Sequence, residues 1–112
     1  MKNLLFTVRL KPGMLAAYKE FGATITGPRK EEYRALLKRY GLRAAKVWHE
    51  KIAGHEYVFI FHEAEDDALE RLKGWSSSTH PFDRWFGEHL SKCYEISPDQ
   101  PAHLLFEFDT RH

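Results

Sequence analysis

AAKVWHEKIAGHEYVFIFH, Ala44–His62, contains two strand-like runs and the turn between them. Ala44–His49 and Tyr57–His62 are rich in the β-branched and aromatic residues that suit a pleated surface. Lys51-Ile52-Ala53-Gly54-His55 joins them, a loop of hairpin length that contains glycine, so the runs are expected to be antiparallel neighbours. Successive side chains on a strand point to opposite faces. Ala45, Val47 and His49 therefore share one face, as do Val58, Ile60 and His62. Lys46, Trp48 and Glu50 fall on the other, with Tyr57, Phe59 and Phe61. Small and β-branched residues pack well under helices, so the first set is assigned to a helix-covered face and the aromatic set to an open one.

Upstream, Leu4–Leu10 alternates Phe6, Val8 and Leu10 with Leu5, Thr7 and Arg9, and Lys11-Pro12-Gly13 ends that strand. Met14, Tyr18, Phe21 and Ile25 then mark one side of a helix. Gly27-Pro28 interrupts it, because proline cannot continue a helix interior. The pattern resumes with Tyr33, Leu36, Leu37 and Tyr40, and Gly41 is placed to cap the C-terminus. Downstream, Glu65–Cys93 is helical, broken at Gly74 and Ser76-Ser77-Ser78 and restarted by Thr79-His80-Pro81. Ser97–Pro101 is a loop, and Leu104–Phe108 reads as a last strand. The order βαββαβ is the split unit of ferredoxin-like α+β domains, which predicts a four-stranded antiparallel sheet. At 112 residues the chain is expected to be one domain, residues 1–112.

Acids and bases are mixed along the chain, and the formal net charge of +1 gives no basic stripe for nucleic acid. No apolar run approaches the ~20 residues of a membrane span, and the first residues lack the pattern of a signal peptide. A cytoplasmic protein with neither nucleic-acid nor membrane partners is expected. The single Cys93 falls on the apolar stripe of a helix and reads as a structural thiol.

Trp48, Tyr57, Phe59 and Phe61 on an open face would form a large exposed apolar patch, which usually marks an interface or a ligand site. Two sheets meeting face to face would bury it, so a homodimer is expected. Arg9, Lys46 and Glu50 lie among these aromatics and supply the few polar groups of a small-molecule pocket.

Leu10-Lys11-Pro12-Gly13, Tyr18, Ala35-Leu36-Leu37-Lys38, Gly41-Leu42-Arg43 and Arg84-Trp85-Phe86 together resemble the L-rhamnose mutarotases of the dimeric α/β-barrel superfamily. The resemblance implies a barrel-forming dimer that interconverts sugar anomers, with Tyr18 serving the sugar and Trp85 in a late aromatic pair. Where the family has a histidine four residues after that tyrosine, this chain has Gly22. Glu65-Asp66-Asp67 through Glu70-Arg71-Leu72, with His80-Pro81-Phe82, resembles aromatic polyketide cyclases of the tetracenomycin type in the same superfamily.

Mutarotation needs a proton donor at the ring oxygen and an acceptor at the anomeric hydroxyl. Tyr18 paired with Glu50, or with His80, is the expected catalytic set. Arg9, Lys46, Trp48, Tyr57, Phe59 and Trp85 are the expected ligand-binding residues. There is no His-x-x-x-His, Cys-x-x-Cys, P-loop or Gly-x-Gly-x-x-Gly motif, so neither metal nor cofactor is expected. The alternatives to a mutarotase-like isomerase are a polyketide-cyclase-like enzyme and a non-catalytic dimer that binds a small molecule.

Overall fold

The computed structural model describes residues 1–111. Strand β1 is Lys2–Arg9, helices α1 and α2 are Leu15–Thr26 and Lys30–Arg39, and strands β2 and β3 are Leu42–Ile52 and His55–Ala64. Helix α3, Ala68–Leu72, leads through a 3-10 turn at Trp75–Ser77 to α4, Pro81–Cys93. The sheet is antiparallel in the order β1-β3-β2.

Local chemistry explains the boundaries. The β2–β3 hairpin turns at Ala53 and Gly54, both in the left-handed region with φ of 52° and 81°. Two such residues in succession match the twist of the flanking strands. At Gly27 a Cβ would lie 2.8 Å from the Ala23 carbonyl oxygen, and the helix stops one residue earlier. Gly41 takes φ 71° just beyond α2, as a C-terminal capping glycine does. Pro81 opens α4, and Nδ1 of His80 accepts a hydrogen bond from the Phe82 N–H at 3.2 Å.

Register sorts the two sheet faces as the alternation requires. Val8 faces Val58, Phe6 faces Ile60, and Val47 faces Ile60 from the other side. These residues lie under the helices, where Leu4, Phe21, Ile25, Leu36, Tyr40 and Phe82 form the main core and Val8, Leu10, Val58, Cys93 and Tyr94 a second one. Tyr18 packs against both. Asp83 is buried at the start of α4 and accepts hydrogen bonds from Tyr40 and Ser78, each at 2.8 Å, and from Arg39. Burial pushes its carboxyl up, and the donors from Arg39, Ser78 and Tyr40 outweigh this and hold it below the ordinary carboxylate range.

The expected four-stranded sheet has three strands among the described residues, because Leu104–Phe108 does not join it. After α4 the chain turns back along β1. The Lys11 N–H donates to the Cys93 carbonyl at 2.8 Å, the Glu95 N–H to Arg9 at 2.9 Å and the Ala102 N–H to Leu5 at 2.6 Å. Among the described residues beyond that point no backbone partner defines a strand. Leu104, Leu105, Phe106 and Phe108 are 77%, 90%, 82% and 81% exposed. No helix among the described residues is long and apolar enough to cross a membrane.

Candidate functional site

The helix layer does not fill the space above the sheet. A cavity of about 580 Å³ remains between the sheet and α1, α2 and α4. Its walls are largely apolar, including Phe6, Ile25, Leu37, Ile60, Trp75 and Phe86. The half-buried and buried polar side chains among them include four tyrosines, Tyr18, Tyr33, Tyr40 and Tyr94, and one imidazole, His62; the Tyr40 hydroxyl is already engaged by Asp83. Exposed Lys19, Thr26, His49, Ser91 and Ser97 edge the opening.

Each group is positioned by its element. Tyr18 lies one turn before Phe21 on the buried side of α1, and its hydroxyl is 3.0 Å from that of Tyr94, at the end of α4. The two rings tilt together with centroids 5.7 Å apart. Tyr33 stacks on Phe86 at 5.6 Å. Its hydroxyl has no hydrogen-bond partner among the described residues, so it is open to a ligand. His62 follows Val58 and Ile60 along the helix-facing side of β3. Its Nδ1 is 3.1 Å from the Ala44 carbonyl oxygen. A carbonyl only accepts, so Nδ1 carries the proton and Nε2 keeps its lone pair.

Burial sets the protonation states. It raises the pKa of Tyr18, against the lowering effect of the hydrogen bond with Tyr94, and raises Tyr94 further. Tyr33 is pushed up to about 12 by burial, with Tyr18 adding to the shift. Tyr18, Tyr33 and Tyr94 therefore stay protonated at neutral pH and serve as hydrogen-bond donors. Burial lowers His62 below the ordinary histidine value, against the Ala44 hydrogen bond, so its imidazole is neutral and basic at Nε2. One acceptor nitrogen and several phenolic donors in a largely apolar chamber are the parts of a general acid/base site.

Of the residues expected from the sequence, Tyr18 lines this cavity. Glu50, Lys46, Tyr57 and Phe59 do not. Glu50 is in register with Tyr57, and Trp48 with Phe59, on the sheet face away from the helices. Tyr18 and Glu50 thus lie on opposite sides of the sheet within one chain, and the expected pairing of these two does not form there. Trp48 is 54% exposed on that open face and also touches the cavity rim. Arg9 is 2.8 Å from the Glu95 carboxylate at the strand end. His80 is exposed and occupied as the cap of α4. Trp85 packs into the helix layer, with ring centroids 5.5 Å from Phe21 and 4.4 Å from His89, and Arg29 lies 4.1 Å above it. His62, Tyr33 and Tyr94 were not selected from the sequence. The alternation that links His62 to Val58 and Ile60 was the available signal.

Among the described residues, no three His, Cys, Asp or Glu side chains converge on a point where a metal ion would sit.

An antiparallel sheet with helices on one face and a chamber between the layers defines the class as ferredoxin-like α+β. Solved structures with this arrangement include the L-rhamnose mutarotase FA22100 from Formosa agariphila, with a TM-score of 0.62 and 19% identity over 97% of this chain and 100% of that one. Tetracenomycin F2 cyclase from Streptomyces glaucescens, a type-II polyketide cyclase, has a TM-score of 0.61 and 18% identity over 98% and 99% of the two chains. Both are of the ferredoxin-like α/β-barrel class that the sequence resembles, and at this identity the likeness is one of fold. No protein-family model matches the chain. A stretch of 60 residues, 54% of this chain, is 35% identical to part of Lysine-specific demethylase 7A of Homo sapiens, and the match spans 6% of that protein's length.

Proposed function

We propose that this chain is an acid/base isomerase or cyclase acting on a small, ring-bearing and largely apolar molecule held between its sheet and its helices. The observation that carries this reading is the cavity's composition: apolar and aromatic walls around His62 and the phenols of Tyr18, Tyr33 and Tyr94, with Tyr40 engaged by Asp83. His62 Nε2 takes a proton from an acidic C–H or O–H of the substrate. The Tyr18 hydroxyl, backed by Tyr94, donates a hydrogen bond to the oxygen where negative charge develops. Return of the proton to another atom completes an isomerisation or ring closure without net oxidation.

A sugar mutarotase is the second reading, favoured by Tyr18 in the cavity. A pyranose presents hydroxyls around its whole ring, and the charged groups expected to meet them, Arg9, Lys46 and Glu50, lie outside the cavity lining. The balance therefore tips to an aromatic or polycyclic ligand, as in the cyclase alternative. Thermal-shift measurements against monosaccharides and polycyclic phenols separate the two, because a ligand of the native state raises the melting temperature. A phenolic hit whose turnover falls by roughly 10²–10⁴ in His62→Gln and Tyr18→Phe supports the proposal. A response confined to sugars, with anomer exchange seen by saturation-transfer NMR, replaces it with the mutarotase reading. Binding without turnover of any tested compound supports the non-catalytic alternative.

The working form is a homodimer closed over the open sheet face. Leu5, Trp48, Phe59 and Phe61 of that face, together with the exposed Leu104–Phe108 segment, supply the apolar surface such an interface needs. Sedimentation at twice the chain mass is the expected result.

A further inference from the structure

Beside the apolar cavity lies a second one of about 640 Å³ with a different character. Ile25, Thr26, Tyr33, Leu37 and Leu42 line both, so the two cavities share a wall. The second carries five cationic side chains and one acid. Lys30, Arg34 and Lys38, at successive i, i+4 positions on α2, supply one side, and Arg43, Arg71 and Glu65 come from β2, α3 and the connection between β3 and α3. Like charges spaced in this way destabilise an isolated helix.

Three of the cations already have acidic neighbours. Arg34 is 2.5 Å from Glu31, Arg43 is 2.8 Å from Glu65 and Arg71 is 3.0 Å from Asp67. Lys30 and Lys38 have no acidic partner among the described residues. Gly41 lies in the same lining with φ 71°, and a Cβ there would come within 3.3 Å of the Arg71 guanidinium and of Glu65 Cβ. The positive φ favours glycine here, and the Arg71 guanidinium lies close against its backbone. Arg43 and Arg71 are accounted for by their own acids, which leaves Lys30 and Lys38 as the unneutralised charges of a concavity next to an apolar chamber.

We propose that the molecule held in the apolar cavity carries an anionic group, a carboxylate or a phosphate, which passes Tyr33 into this groove and is received by one of its two unpaired lysines, Lys30 or Lys38. This rests on the reading of the apolar cavity as the ligand site. Such a ligand is amphipathic: its ring system fills the chamber and its charge completes the unpaired side of the groove.

The probes are 2-naphthoate, 2-naphthyl phosphate and the neutral 2-naphthalenemethanol, titrated calorimetrically into the native protein and into the Lys30→Gln/Lys38→Gln variant. A charge-assisted contact of ordinary strength gives an anionic probe an advantage of about tenfold over the neutral one. The proposal expects that advantage in the native protein, its decline with added salt and its loss in the variant, while the neutral probe binds both alike. The tighter of the two anions identifies the group. Equal binding of neutral and anionic probes by the native protein, or an advantage that survives in the variant, overturns the charge assignment and leaves the cavity reading standing. Failure of all three probes to bind overturns both.

Discussion

Leu4 and Leu5 are adjacent on β1, yet Leu4 is 4% exposed and Leu5 39%. On β3 the same contrast separates Val58, fully buried, from Phe59, which is half-buried on the other face. One sheet thus presents two surfaces built from interleaved residues of similar hydrophobicity. What differs is the cover. Helices enclose one face and leave a chamber with an imidazole and four phenols. Among the described residues the other face has no second layer. Apolar character alone therefore does not locate a ligand site; a third wall does.

The largest expected effect comes from truncating the two leucines in turn. Leu4→Ala should cost about 2–5 kcal/mol in urea unfolding, since it opens a hole in a packed core. Leu5→Ala, measured on the single chain in the Phe59→Lys/Phe61→Lys background, should cost less than about 1 kcal/mol, as surface substitutions usually do. Equal costs would erase the contrast between the faces. Next comes Phe59→Lys/Phe61→Lys, which should change the sedimenting mass from two chains to one while the melting of the remaining monomer stays cooperative. A native mass of one chain would remove the interface from the account.

A smaller effect follows from His62. Burial lowers its pKa in the folded state, so the unfolded chain binds the proton first as pH falls. Its contribution to stability is full above about 6.5 and declines from there toward the depressed folded value. His62→Gln should flatten the pH dependence of unfolding across that window, and an unchanged slope would show that His62 is not the titrating group. Tyr18→Phe is the mildest, removing one hydroxyl from the pair with Tyr94 at a cost of about 0.5–1.5 kcal/mol.

Much of the fold could be read from residue order. The hairpin is visible in the alternation of Ala44–His62 and in Gly54, and the helix break in Gly27-Pro28. The same alternation divides Val58 and Ile60 from Phe59 and Phe61 correctly. Leu104–Phe108 has a strand's alternation too, but a strand exists only with a hydrogen-bonded neighbour, and that is a property of distant chain. Along this stretch the last such contact is Ala102 to Leu5. The site was harder. Placing the pocket on the open face assumed that the helices would fill the other. They do not: Val47, on the helix side of β2, is still 49% exposed. Whether a helix layer seals a sheet depends on helix length and tilt, which no local periodicity records, and so the sequence sets His62 on the helix-facing side near a strand end without marking the chamber it lines.

Ile60 and Phe59 are chain neighbours on opposite faces, and they allow the most direct test. The quantity to measure is the thermal shift induced by a polycyclic ligand in Ile60→Trp and in Phe59→Lys. If the ligand lies between sheet and helices, Ile60→Trp fills the chamber and abolishes the shift, while Phe59→Lys retains it. A shift that survives Ile60→Trp and disappears in Phe59→Lys would put the ligand on the open face and contradict the account.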